Sequence, residues 1–487
     1  MNMTHFPCLA SIVVGLGGCF SPNQAVTGDG SASDQSTTAT EGSGTSSTMT
    51  ATTASTGPTN TTDATQGDAT RGTDPTSGTE TAETVDTSAG STDDGGPLCG
   101  NGMMDGAEAC DDGDEVNGNG CNNDCVESGM VLWEVDVSDG YDAVTTAYGG
   151  NDRVVADSSG AAFVVFEAEA ADFFAVIRKL DDQGTFQWTV EAENPTPGRG
   201  VFAGGIAATP AGEVVLTGII EDDSQLDENA FLNRYDAQGS LSWANVLDPG
   251  FQNAGNGVAL DEDGVSIVAG SAGAAGGFVW KYDSNGTSTL TEYYVPAGGF
   301  AHFFGAAANV GGDFVVVGDA GVGDGDVWVR RFTANAVEIW TETYAGGGAS
   351  EEGASAVAIT PDGGAVVIGT ADANVWLRKY SAAGGIEWTQ THNGAADGND
   401  DGFAVAALAN GDVVVAGREE AAGGDFDVWT SRRAGADGAE LWSRAWDGGA
   451  GEDDGAAGVA IAAGGDVLVS SSIGSAPVVV RLNRLTE

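Results

Sequence analysis

The sequence predicts an all-β protein whose main folded part, residues 127–487, is a seven-bladed β-propeller with four strands in each blade. From residue 131 onward, a pattern recurs at intervals of roughly 50 residues. Each repeat contains four short runs of β-branched and aromatic residues separated by glycine-rich turns, and no run has helical periodicity. Four strands per repeat at this spacing indicate propeller blades, with six or eight blades as the alternatives.

The repeat is marked by a short turn that precedes a tryptophan. Residues 181–188 and 236–243 share the pattern D-x-x-G-x-x-x-W, whereas residues 283–290 keep the aspartate and glycine but end in Leu290. The other copies end at Trp133, Trp340, Trp388 and Trp442. These seven copies predict seven blades.

The phase of the repeat predicts how the ring closes. The folded region begins with a tryptophan strand at 131–137 and ends with a strand of the third type at 478–482. If the strands are lettered A to D from the centre outward, the first is a D strand and the last is a C strand. We expect the N-terminal strand to complete the last blade, which would close the ring without a covalent bond and protect the sheet edges.

One basic residue recurs near the end of each predicted C strand. Because the chain has only 17 basic residues, the use of seven in one register indicates a repeated structural role. We expect each of them to pair with a nearby carboxylate or carbonyl, and a buried pair would be costly to break from one side. The predicted ring consists of Lys179, Arg234, Lys281, Arg331, Lys379, Arg433 and Arg481.

Residues 1–18 are predicted to be a secretory signal peptide. Their apolar run at residues 12–16 is too short for a permanent membrane span, and Leu16-Gly17-Gly18-Cys19 completes the segment. This sequence resembles the bacterial lipobox, which implies cleavage before Cys19 and acylation of that cysteine. Residues 1–8 depart from the usual signal pattern because they contain no Lys or Arg, and cleavage near Ala25 is the alternative.

Residues 19–97 are predicted to form a disordered linker. They consist almost entirely of Ser, Thr, Gly, Asp and Ala. Such a segment cannot bury enough apolar surface to offset the entropy that ordering would cost. If Cys19 is acylated, the linker would hold the folded part away from a membrane.

Residues 98–126 are predicted to form a disulfide-rich module, because an even number of clustered cysteines indicates bridges made in an oxidising compartment. A segment this small has almost no apolar core, so the bridges must replace it. Its motifs CGNG, ACDDG and GNGCNNDC are similar to the myxobacterial cysteine-rich repeat, although Ala109 stands where that family usually has Glu. The resemblance implies two disulfides, a bacterial surface context and a myxobacterial origin. Three pairings of the four cysteines are possible: Cys99, Cys110, Cys121 and Cys125.

Calcium is the one cofactor that the sequence suggests, since it prefers carboxylate and amide oxygens. Asp111, Asp112 and Asp114 crowd such oxygens in the module. In the propeller, the D–A and B–C loops share one face, are long and acidic, and supply the remaining candidates: Asp324, Asp326, Asp400, Asp401, Asp453 and Asp454. The alternatives are polar side chains that cap their own turns in the module and a solvated acidic rim on the propeller.

The charge balance and the motifs limit the possible functions. With 72 acidic and 17 basic residues, the chain has a net charge of -55 and would be repelled by nucleic acid. No nucleophile elbow, P-loop or dinucleotide motif stands out, and His302 and His392 lack cysteine partners for a zinc site. The repeats are similar to bacterial cell-surface propeller proteins and distantly resemble the quinoprotein repeat.

We therefore predict a monomeric lipoprotein exported to the outer membrane or cell surface of a Gram-negative bacterium. It would be held at the membrane by its lipid anchor, and its propeller would serve as a non-enzymatic binding or scaffold module for a protein or glycan, with calcium as a candidate cofactor. The alternatives are a periplasmic scaffold for outer-membrane protein assembly and a propeller hydrolase or quinoprotein.

Overall fold

The computed structural model describes residues 99–487 apart from 105–107, 115, 142–143, 146–152, 170–172, 193–198, 222–227, 274–275, 296–298, 322–324, 348–351, 450 and 475–477. The predicted signal peptide at 1–18, the acylation site Cys19, the linker at 19–97 and Asp324 lie outside the described residues. Within the described ranges, no helix is long and apolar enough to cross a membrane.

The regular elements of the described chain are all strands, and they form seven antiparallel sheets. This confirms the predicted seven-bladed β-propeller. Six sheets have four strands, and the sheet of blade 1 has five because its inner strand is in two pieces.

The strands follow the chain from the inner to the outer position of each blade, except for the first. β1 (Val131–Asp136) is the outer strand of blade 7. Blade 1 contains β2 (Val144–Thr145), β3 (Val154–Ala156), β4 (Ala162–Glu169), β5 (Phe173–Leu180) and β6 (Phe186–Ala192). Blade 2 contains β7 (Val201–Ala208), β8 (Val214–Glu221), β9 (Glu228–Tyr235) and β10 (Leu241–Leu247). Blade 3 contains β11 (Ala254–Leu260), β12 (Ser266–Ser271), β13 (Gly277–Tyr282) and β14 (Ser288–Tyr294).

The remaining four blades repeat this order. Blade 4 contains β15 (Phe300–Ala308), β16 (Phe314–Gly321), β17 (Asp326–Phe332) and β18 (Glu338–Tyr344). Blade 5 contains β19 (Gly353–Ile359), β20 (Ala365–Ala371), β21 (Asn374–Tyr380) and β22 (Ile386–His392). Blade 6 contains β23 (Asp400–Ala407), β24 (Val413–Glu420), β25 (Phe426–Arg433) and β26 (Glu440–Trp446). Blade 7 contains β27 (Gly455–Ile461), β28 (Val467–Ile473) and β29 (Val479–Leu485), which is followed by β1 at the outer position.

The ring closes through strand pairing between the two ends of the propeller, as predicted. β1 lies antiparallel to β29, with Glu134 opposite Asn483 and Val135 opposite Leu482. The Glu134 carboxylate accepts a hydrogen bond from Asn483 at 3.3 Å and lies 3.2 Å from Arg481. Blade 7 is therefore assembled from both ends of the propeller sequence.

The hydrophobic core lies between the blades. Seven clusters of buried apolar residues occur, one at each interface between neighbouring blades. A middle strand is covered on both faces, so buried positions follow one another along it and do not alternate with exposed ones. β28, for example, is buried at all of its positions.

A glycine in the B strands of blades 2 to 6 sets the distance to the inner strands. At each of these five positions, a Cβ atom would overlap a carbonyl oxygen of the adjoining A strand, so these blades require glycine there, whereas blade 7 has Ser471 in the same register, opposite Ala456. Blade 1 has Phe166 in this register, and there the inner strand is divided into β2 and β3. The five glycines are Gly218, Gly270, Gly318, Gly369 and Gly417.

A disulfide across the closing strand pair should stabilise the propeller more than the same disulfide inside a blade. Glu134→Cys with Asn483→Cys would join residues that lie directly opposite in β1 and β29. Ala244→Cys with Asn233→Cys is the matched control, because this pair has the same register in β10 and β9. The closing bridge links residues far apart in sequence, so the gain in the free energy of unfolding should be larger by roughly 3 kcal/mol. Chemical denaturation of the oxidised variants measures both gains, and equal gains would contradict the proposed role of the closure.

Candidate functional site

The recurring basic residue lies opposite the tryptophan of the neighbouring D strand. Lys179 faces Trp188 in blade 1, and Arg234 faces Trp243 in blade 2. Lys281, Arg331 and Lys379 have the same register in blades 3 to 5, opposite Leu290, Trp340 and Trp388. Five of the seven residues predicted for the ring therefore share one position.

The register predicted for blade 6 is wrong by one residue, although Arg433 does pair with a carboxylate, that of Glu440 at 2.9 Å. Arg432, and not Arg433, lies opposite Trp442. The reason is the C–D turn, which is closed by a hydrogen bond from the Ala434 N–H to the Ala439 carbonyl and is one residue longer than the corresponding turns. Because of the extra residue, the base opposite Trp442 lies one position earlier in the sequence than the spacing of the other blades predicts.

The register predicted for blade 7 is also wrong, although Arg481 pairs with Glu134 at 3.2 Å. Arg484, and not Arg481, lies opposite Trp133 of β1. The last C strand extends to Leu485, beyond the end predicted at residue 482. Because the tryptophan that marks this register comes from the other end of the propeller, no nearby sequence landmark locates Arg484.

These bases connect neighbouring blades on the face that carries the short A–B and C–D turns, which is called the turn face. Lys379 Nζ lies 2.7 Å from Asp362 in the A–B turn of its own blade and 3.1 Å from the Gly435 carbonyl of the next blade. The hydrogen bond from Lys379 lowers the pKa of Asp362 to about 2. Others make the same two kinds of contact: Arg234 with Glu213 and Gly264, and Arg484 with Asp466 and Asp182. Lys281 and Arg331 bond to the carbonyls of Ala334 and Gly363.

The tryptophans strengthen the same interfaces. The indole N–H of five of them donates to a carbonyl in the turn of the next blade: Trp133, Trp188, Trp243, Trp340 and Trp388. Trp442 is 5% exposed, yet its indole N–H has no hydrogen-bond partner among the described residues. A turn glycine of positive φ packs on the ring, and Gly129 does so for Trp442. The glycine of each motif therefore packs against the preceding blade, whereas the tryptophan of the same motif contacts the next blade.

The module contains two disulfides, Cys99–Cys125 and Cys110–Cys121. The second bridge lies within the loop that the first one closes. Disulfides persist in oxidising compartments, so the module fits an exported, envelope-associated protein.

The carboxylates predicted to bind calcium in the module accept hydrogen bonds from backbone N–H groups, some in their own turns and some nine residues away. Asp111 Oδ1 accepts hydrogen bonds from the N–H groups of Gly102 and Gly113 at 2.9 and 2.8 Å. Asp112 accepts one from Cys121 at 3.0 Å, and Asp114 accepts one from Val116 at 2.8 Å. Within the described part of the module, the three do not form a group at metal-ligand distances. This geometry is that of polar side chains capping turns.

The face of the propeller that carries the D–A and B–C loops is called the loop face. Two buried aspartates on it also accept hydrogen bonds from backbone N–H groups. Asp400 and Asp454 are both fully buried. Asp400 accepts hydrogen bonds from the N–H groups of Gly394 and Glu420, and Asp454 accepts them from Gly448 and Gly474. Each therefore connects the start of an inner strand to the preceding D–A loop and to the end of the B strand or the residue after it.

The other described aspartates predicted on this face are separated from one another. Asp401 lies 2.7 Å from Arg418. Asp453 accepts a hydrogen bond from the Phe426 N–H at 3.2 Å. Asp326 begins β17 and is half-buried. The predicted set does not form one calcium site, because the loops that carry these residues are distributed over different blades.

One group of three carboxylates does converge on the loop face between blades 6 and 7. Single oxygens of Asp427, Asp447 and Asp454 lie within 4.8 Å of one another. Burial, followed by repulsion from Asp447, raises the pKa of Asp427, and burial also raises the pKa of Asp454. Of these three, only Asp454 is among the predicted ligands; Asp427 and Asp447 are not, because their proximity depends on the folding of the D–A loop.

The two histidines contact different carboxylates. His302 Nδ1 lies 3.1 Å from Asp319 in blade 4. His392 Nε2 lies 2.8 Å from Glu419, and its ring stacks on Trp429 with centroids 4.3 Å apart. Because their partners differ, the histidines do not share a site.

A cleft of about 380 Å³ lies between the module and the outer strand of blade 6. One wall contains the Cys110–Cys121 disulfide, Asp111 and Asp112. The other wall consists of four consecutive residues of β26: Leu441, Trp442, Ser443 and Arg444. Glu127 also lines the cleft and lies 3.3 Å from Arg444.

Comparison with known proteins gives similarities to solved structures only. No family model matches the chain, and no curated protein matches it. The quinohemoprotein alcohol dehydrogenase of Comamonas testosteroni is 11% identical with a TM-score of 0.44, covering 73% of this chain and 76% of that one. BamB from Moraxella catarrhalis is 12% identical with a TM-score of 0.38, covering 73% of this chain and 99% of that one. A protein of unknown function from Dyadobacter fermentans is 12% identical with a TM-score of 0.44, covering 74% and 100%. We transfer no residue role, ligand or activity from these structures.

Removing the indole N–H should be more costly at Trp388 than at Trp442. The two rings are 7% and 5% exposed, but only Trp388 donates a hydrogen bond, to the Gly435 carbonyl. Trp388→Phe should therefore lower the free energy of unfolding by about 1 kcal/mol more than Trp442→Phe. Chemical denaturation of the two variants measures the difference. Equal losses would show that the hydrogen bond contributes nothing beyond ring packing.

Asp447→Asn should stabilise the protein at neutral pH. The Asp427 and Asp454 carboxyls have raised pKa values in the folded state, so stability should rise as pH falls from 7 through those values toward about 3.9, the value for an unfolded aspartate. Removing the Asp447 charge should raise the free energy of unfolding at pH 7 by about 0.2–1 kcal/mol and flatten that rise. Asp248→Asn is the control, since both residues accept a bond from the N–H two residues later. Melting curves from pH 4 to 8 test this, and an equal effect of the control would contradict it.

Proposed function

We propose that the chain is an exported lipoprotein that presents its propeller on the cell surface of a Gram-negative, myxobacterial-type bacterium. In this proposal, residues 1–18 are removed, Cys19 carries the lipid, and residues 19–97 act as a flexible tether. The module at 98–126 and the propeller at 127–487 are the presented parts. The lipobox resemblance at residues 16–19 and the two disulfides of the module support the proposal.

The propeller serves in this proposal as a non-enzymatic binding or scaffold module for a protein or glycan. The observation that carries it is the difference between the two faces. On the turn face, repeated residues such as Lys379 and Trp388 are engaged in contacts between blades. On the loop face, the side chains are specific to single blades, as with His302–Asp319 and Asp401–Arg418. Blade-specific groups on a rigid repeated scaffold are typical of a binding surface.

Calcium is the candidate cofactor of this surface. Asp427, Asp447 and Asp454 offer three carboxylate oxygens close together, and calcium takes 6–8 oxygen ligands, so backbone carbonyls or water would complete its shell. Burial is the main cause of the raised pKa values of Asp427 and Asp454, and repulsion from Asp447 adds to it, so a bound cation would also relieve that repulsion.

Replacing Cys19 should release the protein from the membrane fraction. A clickable fatty acid fed to cells should label the wild-type chain, whereas Cys19→Ala should abolish the label and move the protein to the soluble envelope fraction. Cys8→Ala is the control and should leave lipid labelling intact. Protease treatment of whole cells tests exposure on the outer surface. An unlabelled wild-type chain, or a labelled chain protected from protease in intact cells, would contradict the proposal.

Calcium should reverse the sign of the Asp447→Asn effect. In EDTA, the variant should melt above the wild type, because repulsion is removed. With millimolar calcium, the wild type should gain stability and the variant should not, because a ligand is missing. Asp248→Asn should respond to calcium as the wild type does. If calcium leaves the wild-type melting temperature unchanged, the cofactor assignment is wrong and the loop face binds without it.

A further inference from the structure

We infer that the cleft between the module and blade 6 binds a basic side chain of an extended peptide, with the peptide running along the outer edge of β26. This inference rests on the proposed binding function and deepens it by naming a second surface and the chemistry of its partner. The site lies where the module and the propeller meet, which is away from the loop face.

Two of the residues that line the cleft, Trp442 and Asp111, each carry a polar atom that no described residue satisfies. The indole N–H of Trp442 is a buried donor without a partner, and Asp111 Oδ2 is a buried acceptor without a partner, both counted over the described residues. Buried polar atoms are satisfied in folded proteins by protein, water or a bound group, so each exception requires an explanation. A donor and an acceptor that line the same cleft indicate a bound group that carries both functions.

The charges of the cleft favour a cation. Asp111, Asp112 and Glu127 contribute three carboxylates, and the one base, Arg444, is already paired with Glu127. Arg444 also donates to the Ser128 carbonyl at 2.9 Å, which holds its guanidinium in place. Desolvation raises the pKa of Asp111, but hydrogen bonds from backbone N–H groups, among them those of Gly102 and Gly113, outweigh it and lower the pKa, so the carboxylate stays ionised at neutral pH. An ammonium or guanidinium group would supply the donors that the carboxylates lack.

The shape of the cleft favours an extended chain. Four consecutive residues of β26 form one wall, and β26 is the last strand of its sheet, with β25 on its inner side. An outer strand offers backbone donors and acceptors to an added strand, and side-chain pockets beside it supply specificity. A peptide carbonyl beside Trp442 would accept the indole N–H, as carbonyls of the next blade do for Trp340 and Trp388.

The module is necessary for this site, because it forms the second wall. Its position is set by close contact with the propeller: Gly118 packs against the guanidinium of Arg432, and any Cβ there would overlap it. Arg432 is 1% exposed and lies 3.0 Å from Asp412. The wall that carries Asp111 is thus held by both the disulfides and this contact.

The test uses the full chain with the peptide Thr-Lys-Thr-Lys-Thr, and Thr-Glu-Thr-Glu-Thr as the charge-reversed control. Asp111→Asn removes the charge but keeps Oδ1, which accepts both of its short turn bonds. Trp442→Phe removes only the indole N–H. Asp114→Asn is the matched control, because Asp114 belongs to the same module but does not line the cleft.

Calorimetry should show saturable binding of the lysine peptide and none of the glutamate peptide. Asp111→Asn should weaken binding roughly tenfold and Trp442→Phe roughly fivefold, with Asp114→Asn close to the wild type. Carbodiimide coupling, which joins an amine to a touching carboxylate, should attach the peptide to Asp111, Asp112 or Glu127. Melting curves and disulfide mapping show that the variants are folded.

Three outcomes would overturn the inference. Coupling confined to the loop face, at Asp427 or its neighbours, would move the cationic site there and leave the proposed binding function intact. Unaltered affinity in both Asp111→Asn and Trp442→Phe would exclude the cleft. No binding of the lysine peptide would reject the peptide ligand, while lipid labelling and surface exposure would decide the proposed function separately.

Discussion

The pairing of β1 with β29 is the constraint on which the rest of this propeller depends. Each blade buries its faces only against its two neighbours, so an open ring would leave two apolar sheet faces uncovered. The closure uses backbone hydrogen bonds along a full strand, together with the contacts of Glu134 to Asn483 and Arg481. It therefore holds all seven interfaces at once, because no blade can separate from the ring without breaking two of them.

The same closure explains the exceptional position of Trp442. Elsewhere on the turn face, a C–D turn of the next blade supplies both a carbonyl for the indole N–H and a glycine for the ring. At the interface of blades 6 and 7, the two strands that such a turn would join come from opposite ends of the propeller. Gly129 replaces the glycine and packs on the ring, but no described carbonyl replaces the acceptor. The disulfide module lies beside this interface, so the cleft forms where the repeat is incomplete.

The repeated polar residues and the blade-specific ones have different roles in this protein. The bases opposite the tryptophans, the turn carboxylates and the buried Asp400 and Asp454 bond to backbone groups or to each other and hold loops and blades in place. Groups that occur once are carried by this frame, such as Asp427 and Asp447, which converge on the structural Asp454. An acidic chain with a net charge of -55 is expected to attract cationic groups at several places, and geometry selects among them.

Much of the architecture follows from local sequence. The spacing of the D-x-x-G-x-x-x-W turns is sufficient to predict seven blades, and the phase of the repeat is sufficient to predict that β1 closes the ring, because strand order in a blade follows chain order. Clustered cysteines are likewise sufficient to predict a disulfide module, although their pairing as Cys99–Cys125 and Cys110–Cys121 required the fold.

What only the tertiary structure decided depends on residues brought together across blades or across the closure. Arg432 and Arg484 replace Arg433 and Arg481 in the ring because one turn is a residue longer and the last tryptophan comes from the other end of the propeller. The sequence alone determines that aspartates are abundant on the loops. An aspartate on a loop can cap a turn, pair with Arg418 or converge with Asp447. The conformation of the loop decides among these roles, because it sets which groups the carboxylate can reach.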